Sequence, residues 1–91
     1  MIRSFRCKDT EKIFHGQNSR KFPAIEKVAI RKLFILDSAG RLEDLRSPGS
    51  SLELLTKERK GQYAVRINDK YRLCFVWEDG NAHQVEIVDY H

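Results

Sequence analysis

Glu53, Arg66, Arg72, Tyr90 and His91 carry side chains that together have the chemistry to cut an RNA phosphodiester. Such a cut needs a base to take the 2′-hydroxyl proton and an acid to protonate the departing oxygen. It also needs cations against the charge that gathers on phosphorus. Glu53 suits the base, His91 the acid, and Arg66 with Arg72 the charge stabilisers. Tyr90 can stack on a nucleobase or orient the phosphate. Spacing alone leaves each a plainer role: a chain end for His91, an edge or core position for Tyr90. His15 and His83 show no partner pattern and read as structural. No spacing of ligand side chains has the form of a metal site, and no cofactor is called for.

The elements that must position these groups are strands. From Gln62 the apolar period is two: Tyr63, Val65 and Ile67, then Tyr71, Leu73, Phe75 and Trp77. Asn68-Asp69-Lys70 between them reads as a three-residue hairpin loop. That loop pairs Val65 with Leu73 and Tyr63 with Phe75, keeping the apolar residues on one face; a two-residue loop breaks the match. The same register sets Arg66 opposite Arg72 on the other face. Like charges so placed repel unless something neutralises them. A phosphate held by both guanidinium groups does so, and so does Glu53, Glu86 or water in the free protein. A second hairpin is expected to turn through a three-residue loop, Asp79-Gly80-Asn81, pairing Phe75 with Val85 and Leu73 with Ile87. Glu86 and Tyr90 then share the arginine face, while Asp89 points the other way beside Tyr71.

The N-terminal half supplies the cover. Ile2 to Phe5 is a short strand candidate. Asp9 is expected to cap a helix running through Phe14, with Gly16 as its stop. A longer helix follows, with Pro23 near its first turn and its end around Ser38-Ala39-Gly40. Ile25, Val28, Ala29, Leu33 and Leu36 fall on one face of it. Ile30, Phe34 and Ile35 widen the apolar stripe, so cover on more than one side is expected. Ser47-Pro48-Gly49-Ser50 is a turn signal. Leu52, Leu54 and Leu55 are expected to reach the core, and Lys57-Glu58-Arg59-Lys60 to form a solvated loop.

Composition narrows the class. With 91 residues, 41% hydrophobic and 33% charged, the chain is one folded domain spanning 1–91 and not a disordered segment. No apolar run approaches the roughly 20 residues of a membrane span, and the N-terminus has no apolar leader, so a cytoplasmic domain is expected. Cys7 and Cys74 stand too far apart for a CxxC pair. The net charge is +4 and the sequence pI near 9.3. Residues 1–32 hold nine basic against three acidic residues, whereas the remainder is acidic by two. A basic end suits a phosphate backbone or an acidic partner, and a solvated surface equally accounts for it.

The segments Arg66-Ile67-Asn68-Asp69-Lys70-Tyr71-Arg72-Leu73-Cys74-Phe75 and Val85-Glu86-Ile87-Val88-Asp89-Tyr90-His91 resemble HigB-type toxins of the RelE/ParE superfamily. The resemblance covers essentially the whole chain. It implies an α+β, RelE-like fold: a compact antiparallel sheet with two N-terminal helices packed on one face. It implies an mRNA endoribonuclease acting in the decoding site of the translating ribosome, without a metal. It further implies a HigA-like helix-turn-helix antitoxin as partner, with the 70S ribosome and mRNA as the other contacts and no membrane. Arg72 matches the family's phosphate-binding arginine, and Asp89, Tyr90 and His91 match the terminal triplet implicated in cleavage. Many relatives carry a histidine, then Pro-Leu-Lys, where this chain has Glu53-Leu54-Leu55-Thr56. A glutamate at the position of Glu53 occurs in a related branch as general base. With Thr56 in place of the lysine, Lys57 or Arg59 is left to bind phosphate.

Two other functions fit the residues. A ParE-like inhibitor of DNA gyrase shares the fold but generally lacks the terminal triplet. A plain RNA-binding module would bind with a steep salt dependence and leave growth and transcripts unaffected.

Overall fold

Residues 1–46 and 51–89 are described by a computed structural model. Two helices precede a four-stranded antiparallel sheet of order β1-β2-β3-β4. Helix α1 spans Lys8–Phe14, and α2 spans Glu26–Ser38 behind a single tight turn at Pro23–Ile25. The strands are β1 (Glu53–Leu54), β2 (Tyr63–Arg66), β3 (Tyr71–Glu78) and β4 (Asn81–Asp89). The core lies between the helices and one sheet face: Ile13, Ala29, Leu33 and Leu36 meet Val65, Leu73, Phe75, Val85 and Ile87.

The β2–β3 register is the one the apolar pattern selects. Tyr63 pairs with Phe75, Val65 with Leu73 and Arg66 with Arg72. Phe75 is completely buried, with Tyr63 stacked at 6.1 Å and the Trp77 ring edge-on at 6.3 Å.

The second hairpin departs from expectation. Glu78 pairs with Asn81, so the loop has two residues, Asp79 and Gly80, both at positive φ (52° and 75°). Two left-handed residues in succession match the strands' right-handed twist, and Asp-Gly suits them. An irregularity between Cys74 and Val76 then returns the register, so that Leu73 faces Ile87 as expected and Arg72 faces Val88. The extra residue is on β4, where Gln84 takes a φ of 53°. Its amide donates to Ser4 Oγ at 2.9 Å, which satisfies a group the bulge removes from the ladder.

Residues 2–5 form two isolated bridges rather than a strand. They run parallel to β4, with Ile2 against Ala82 and Phe5 against Val85. Asp9 does not cap α1: Cys7 stands at the N-cap with no side-chain bond. The Asp9 carboxylate accepts instead from the Ser19 hydroxyl at 3.1 Å. Gly16 ends the helix at a φ of 77°, where a side chain would be strained.

Thr10 ties α1 to the sheet. Its hydroxyl is fully buried and accepts from the Ile87 amide at 3.0 Å. Thr10→Val keeps the shape and orphans that amide, so it should lower stability by about 1–3 kcal/mol in urea unfolding. An unchanged midpoint would mean that water or another group takes over.

Of the three leucines near β1, Leu55 is buried and Leu52 packs partly against the main core. Leu54 is 59% exposed on the short edge strand. Leu55 does not enter the main core: with Ala64 and Cys74 it forms a second cluster, with Val88 beside it. The turn signal at 47–50 lies outside the described residues. Ile30 is half-buried, whereas Phe34 and Ile35 are 51% and 43% exposed, so the described residues leave that part of the widened stripe of α2 uncovered.

Candidate active site

The face of the sheet away from the helices carries Glu53, Arg66 and Arg72. Strand alternation places Glu53, Ala64, Cys74 and Glu86 in one row across all four strands, and Arg66, Arg72 and Val88 in the next. Glu53 pairs with Ala64, so Arg66 is its diagonal neighbour, at about 7–8 Å between backbones. Its side chain is exposed.

The two opposed arginines are relieved by their own turn. Arg66 forms an ion pair with the Asp69 carboxylate. Arg72 Nη1 donates to the Asn68 carbonyl at 2.5 Å and to the Tyr71 carbonyl at 3.1 Å. The turn is itself fastened, since Asn68 Oδ1 accepts from the Lys70 and Tyr71 amides at 2.9 and 2.8 Å. Asn68 and Asp69 therefore set the positions of both guanidinium groups. The sequence reading looked to Glu53, Glu86 or water for that role and missed them. Each lies within four residues of the arginine it serves but reads first as a turn former, and Asn68 acts on Arg72 through its main-chain carbonyl.

Glu86 is engaged elsewhere. It accepts from Arg59 Nη1 at 2.6 Å, an ion pair that spans from the 57–59 turn to β4. The hydrogen bond to Glu86 raises the pKa of Arg59 further, so its charge is fixed at any working pH. Lys57–Arg59 is thus one tight turn tied to the sheet rather than a wholly solvated loop. Lys57 is exposed and takes a φ of 63°. A concavity of about 550 Å³ opens here, lined by Leu55, Thr56, Lys57, Arg59, Val88 and Asp89 among others. Asp89 pairs with Tyr71 in register, and its carboxylate stands 3.8 Å from Lys70 Nζ. Tyr90 and His91 lie outside the described residues.

Cys74 is fully buried beneath this site, and burial pushes its thiol up to about 11, with the nearby Arg59 charge opposing. The folded state therefore holds this proton to higher pH than the unfolded state does. Stability should be unaffected below about pH 9 and fall between about pH 9 and pH 11. Cys74→Val, measured by urea unfolding across that range, should flatten the fall. An equal slope in both proteins would assign the loss to other groups.

The arrangement offers the exposed Glu53 carboxylate, a second one, Glu86, paired with Arg59, several cations and, beside them, an open concavity. It is suited to holding a phosphodiester and moving a proton on it.

Comparison with known proteins points the same way. A family model described as "RelE-like toxin of type II toxin-antitoxin system HigB" matches residues 3–91. "Toxin HigB-1" of Vibrio cholerae is 38% identical over 85 residues, 90% of each chain. "Endoribonuclease HigB" of Proteus vulgaris is 26% identical over 92 residues, with 100% of both chains covered. A chain of the solved "YoeB-YefM complex from Staphylococcus aureus" superposes with a TM-score of 0.58 at 20% identity. The match takes in 100% of this chain and 98% of that one, and bears on the fold.

Proposed function

This chain belongs to the HigB-like family, the RelE-like toxins of type II toxin–antitoxin systems, and on that footing we propose that it is an endoribonuclease cutting mRNA on the translating ribosome. The observation that carries the reading is the β2–β3 register, which sets Arg66 and Arg72 opposite each other on the face that also holds Glu53. The name of the Proteus vulgaris relative, an endoribonuclease, supports it over the full length.

In this reading Glu53 takes the 2′-hydroxyl proton, and the 2′-oxygen attacks phosphorus. His91 returns a proton to the departing 5′-oxygen. Arg72 binds the phosphate and stabilises the added charge, with Arg66 beside it. Lys57 and Arg59, at the rim of the concavity, substitute for the lysine that Thr56 replaces. Asp89 and Tyr90 align the message, Tyr90 by stacking or by orienting the phosphate. The ribosome holds the message in line, and orientation is the contribution worth most when reacting atoms must meet. The basic N-terminal helices supply surface for ribosomal RNA or for the antitoxin. A type II toxin has a cognate antitoxin; here it is a HigA-like helix-turn-helix protein. The whole acts in the cytoplasm, where ribosomes are. No helix among the described residues is long and apolar enough to cross a membrane.

Inducing the chain in growing cells tests the reading. Growth arrest with broken transcripts is expected; arrest with intact mRNA and a DNA-damage response would transfer the function to gyrase inhibition.

A further inference from the structure

The exposed side of α2 carries two concavities that meet at Ile35. One, about 460 Å³, lies between α2 and the β2–β3 turn; Arg31, Lys32 and Arg66 line it around an apolar floor that includes Val28 and Ile67. The other, about 370 Å³, is lined by Phe34, Ile35, Ser38, Ala39 and Asp44. Asp44 is engaged at the rim of this end: its carboxylate accepts from the Gly40 and Arg41 amides at 3.0 and 3.1 Å and stands 3.8 Å from the Arg41 guanidinium. Together they make one groove, apolar at one end and cationic at the other.

The apolar end is built into the fold. Phe34 is half exposed, and its inner edge meets Phe14 edge-on at 5.7 Å, which joins it through Phe14 to Phe5. Two large apolar side chains one after the other on an otherwise amphipathic helix are costly to leave in water. About 25 cal/mol is recovered per Å² covered. Arg31 and Lys32 beside them, with Arg66 paired to Asp69 of its own turn, favour an occupant with carboxylates.

We propose that this groove is where an acidic, amphipathic segment of the antitoxin docks. Its apolar side chains cover Phe34 and Ile35, and its carboxylates meet Arg31, Lys32 and Arg66. A nucleic acid backbone would use the cations but not an aliphatic surface such as Ile35, so an acidic protein segment fits the whole groove better. The inference rests on membership of a type II toxin family and is independent of the nuclease reading. It gives the groove a second role for Arg66, whose guanidinium is reached from both the sheet face and α2.

The test measures binding of the purified, full-length toxin to its antitoxin, with mRNA cleavage by the toxin on translating ribosomes, antitoxin absent, as a second readout. Ile35→Asp and the double variant Arg31→Glu/Lys32→Glu alter exposed or half-exposed side chains, so the core is left intact. Each should weaken antitoxin binding by about tenfold or more. Raising salt from about 0.05 to 0.5 M should weaken the native complex more than that of the double variant. Ile35→Asp should cleave as the native toxin does. Antitoxin binding within about twofold of native in both variants would overturn the proposal. So would unchanged binding with lost cleavage, which would give the groove to RNA. If the native toxin cleaves nothing, the nuclease reading fails while the binding result still decides this one.

Discussion

Arg72→Ala should lower mRNA cleavage by about 10²–10³-fold, the loss seen when one preorganised donor to a developing oxyanion is removed. Arg72 sits on a central strand between Arg66 and Val88, and its head is fixed by the Asn68 and Tyr71 carbonyls. A guanidinium so held has lost its rotational freedom before the phosphate arrives, so its effect falls on the transition state. Arg72 is half-buried and alternates with Leu73, so its side chain lies on the sheet face away from the main core. The urea midpoint should therefore move little. Arg72→Lys should recover part of the rate, since the charge remains and the two-pronged geometry is lost. Cleavage within about threefold of native in the alanine variant would remove Arg72 from the site.

The largest expected loss of stability is at Phe75. It is fully buried, packs between Tyr63 and Trp77, and stands on β3 where β4 bulges. Phe75→Ala should cost about 3–5 kcal/mol, the range for truncating a buried phenylalanine. A 91-residue domain has only about 5–14 kcal/mol in all, at roughly 0.05–0.15 per residue. The variant should unfold at a much lower urea concentration and populate the unfolded state measurably at growth temperature. A cost under about 1 kcal/mol would mean that Tyr63 and Trp77 collapse into the space.

These two residues also mark how much the sequence discloses. The β2–β3 hairpin was legible because one face is apolar throughout, and a slip of one residue would bury Arg66 and Arg72. The β3–β4 hairpin was legible only at its far end. A two-residue turn plus one bulged residue leaves the same apolar pairs, Leu73 with Ile87, as a three-residue turn, so apolar pattern cannot separate them. Asp79-Gly80 was the better guide, being a dipeptide that accepts positive φ twice. Thr10 was invisible because its hydroxyl bonds Ile87, a partner 77 positions away. Asp9 was misread for the opposite reason: a cap signal in sequence was overridden by a tertiary partner, Ser19. The apolar excess at Phe34 and Ile35 was plain in the helical period. Periodicity records that such residues want cover and is silent on whether the cover comes from the same chain.

In the candidate site, register gave the arginine pair one face, whereas Glu53 was proposed from its residue type and the resemblance, and its pairing with Ala64 on a two-residue edge strand was not legible. What held the arginines apart was not legible, since Asn68 and Asp69 read first as turn formers. Arg59 was expected as a substitute cation, and its ion pair with Glu86 adds a structural duty to that role.

The central claim is that this face cuts mRNA with Glu53 as base and His91 as acid. Mapping mRNA 5′ ends after brief induction tests it most directly, with Glu53→Gln and His91→Ala beside the native protein. The account predicts in-frame cuts in translated messages that vanish in both variants. Growth arrest by the native protein with no new 5′ ends would contradict it.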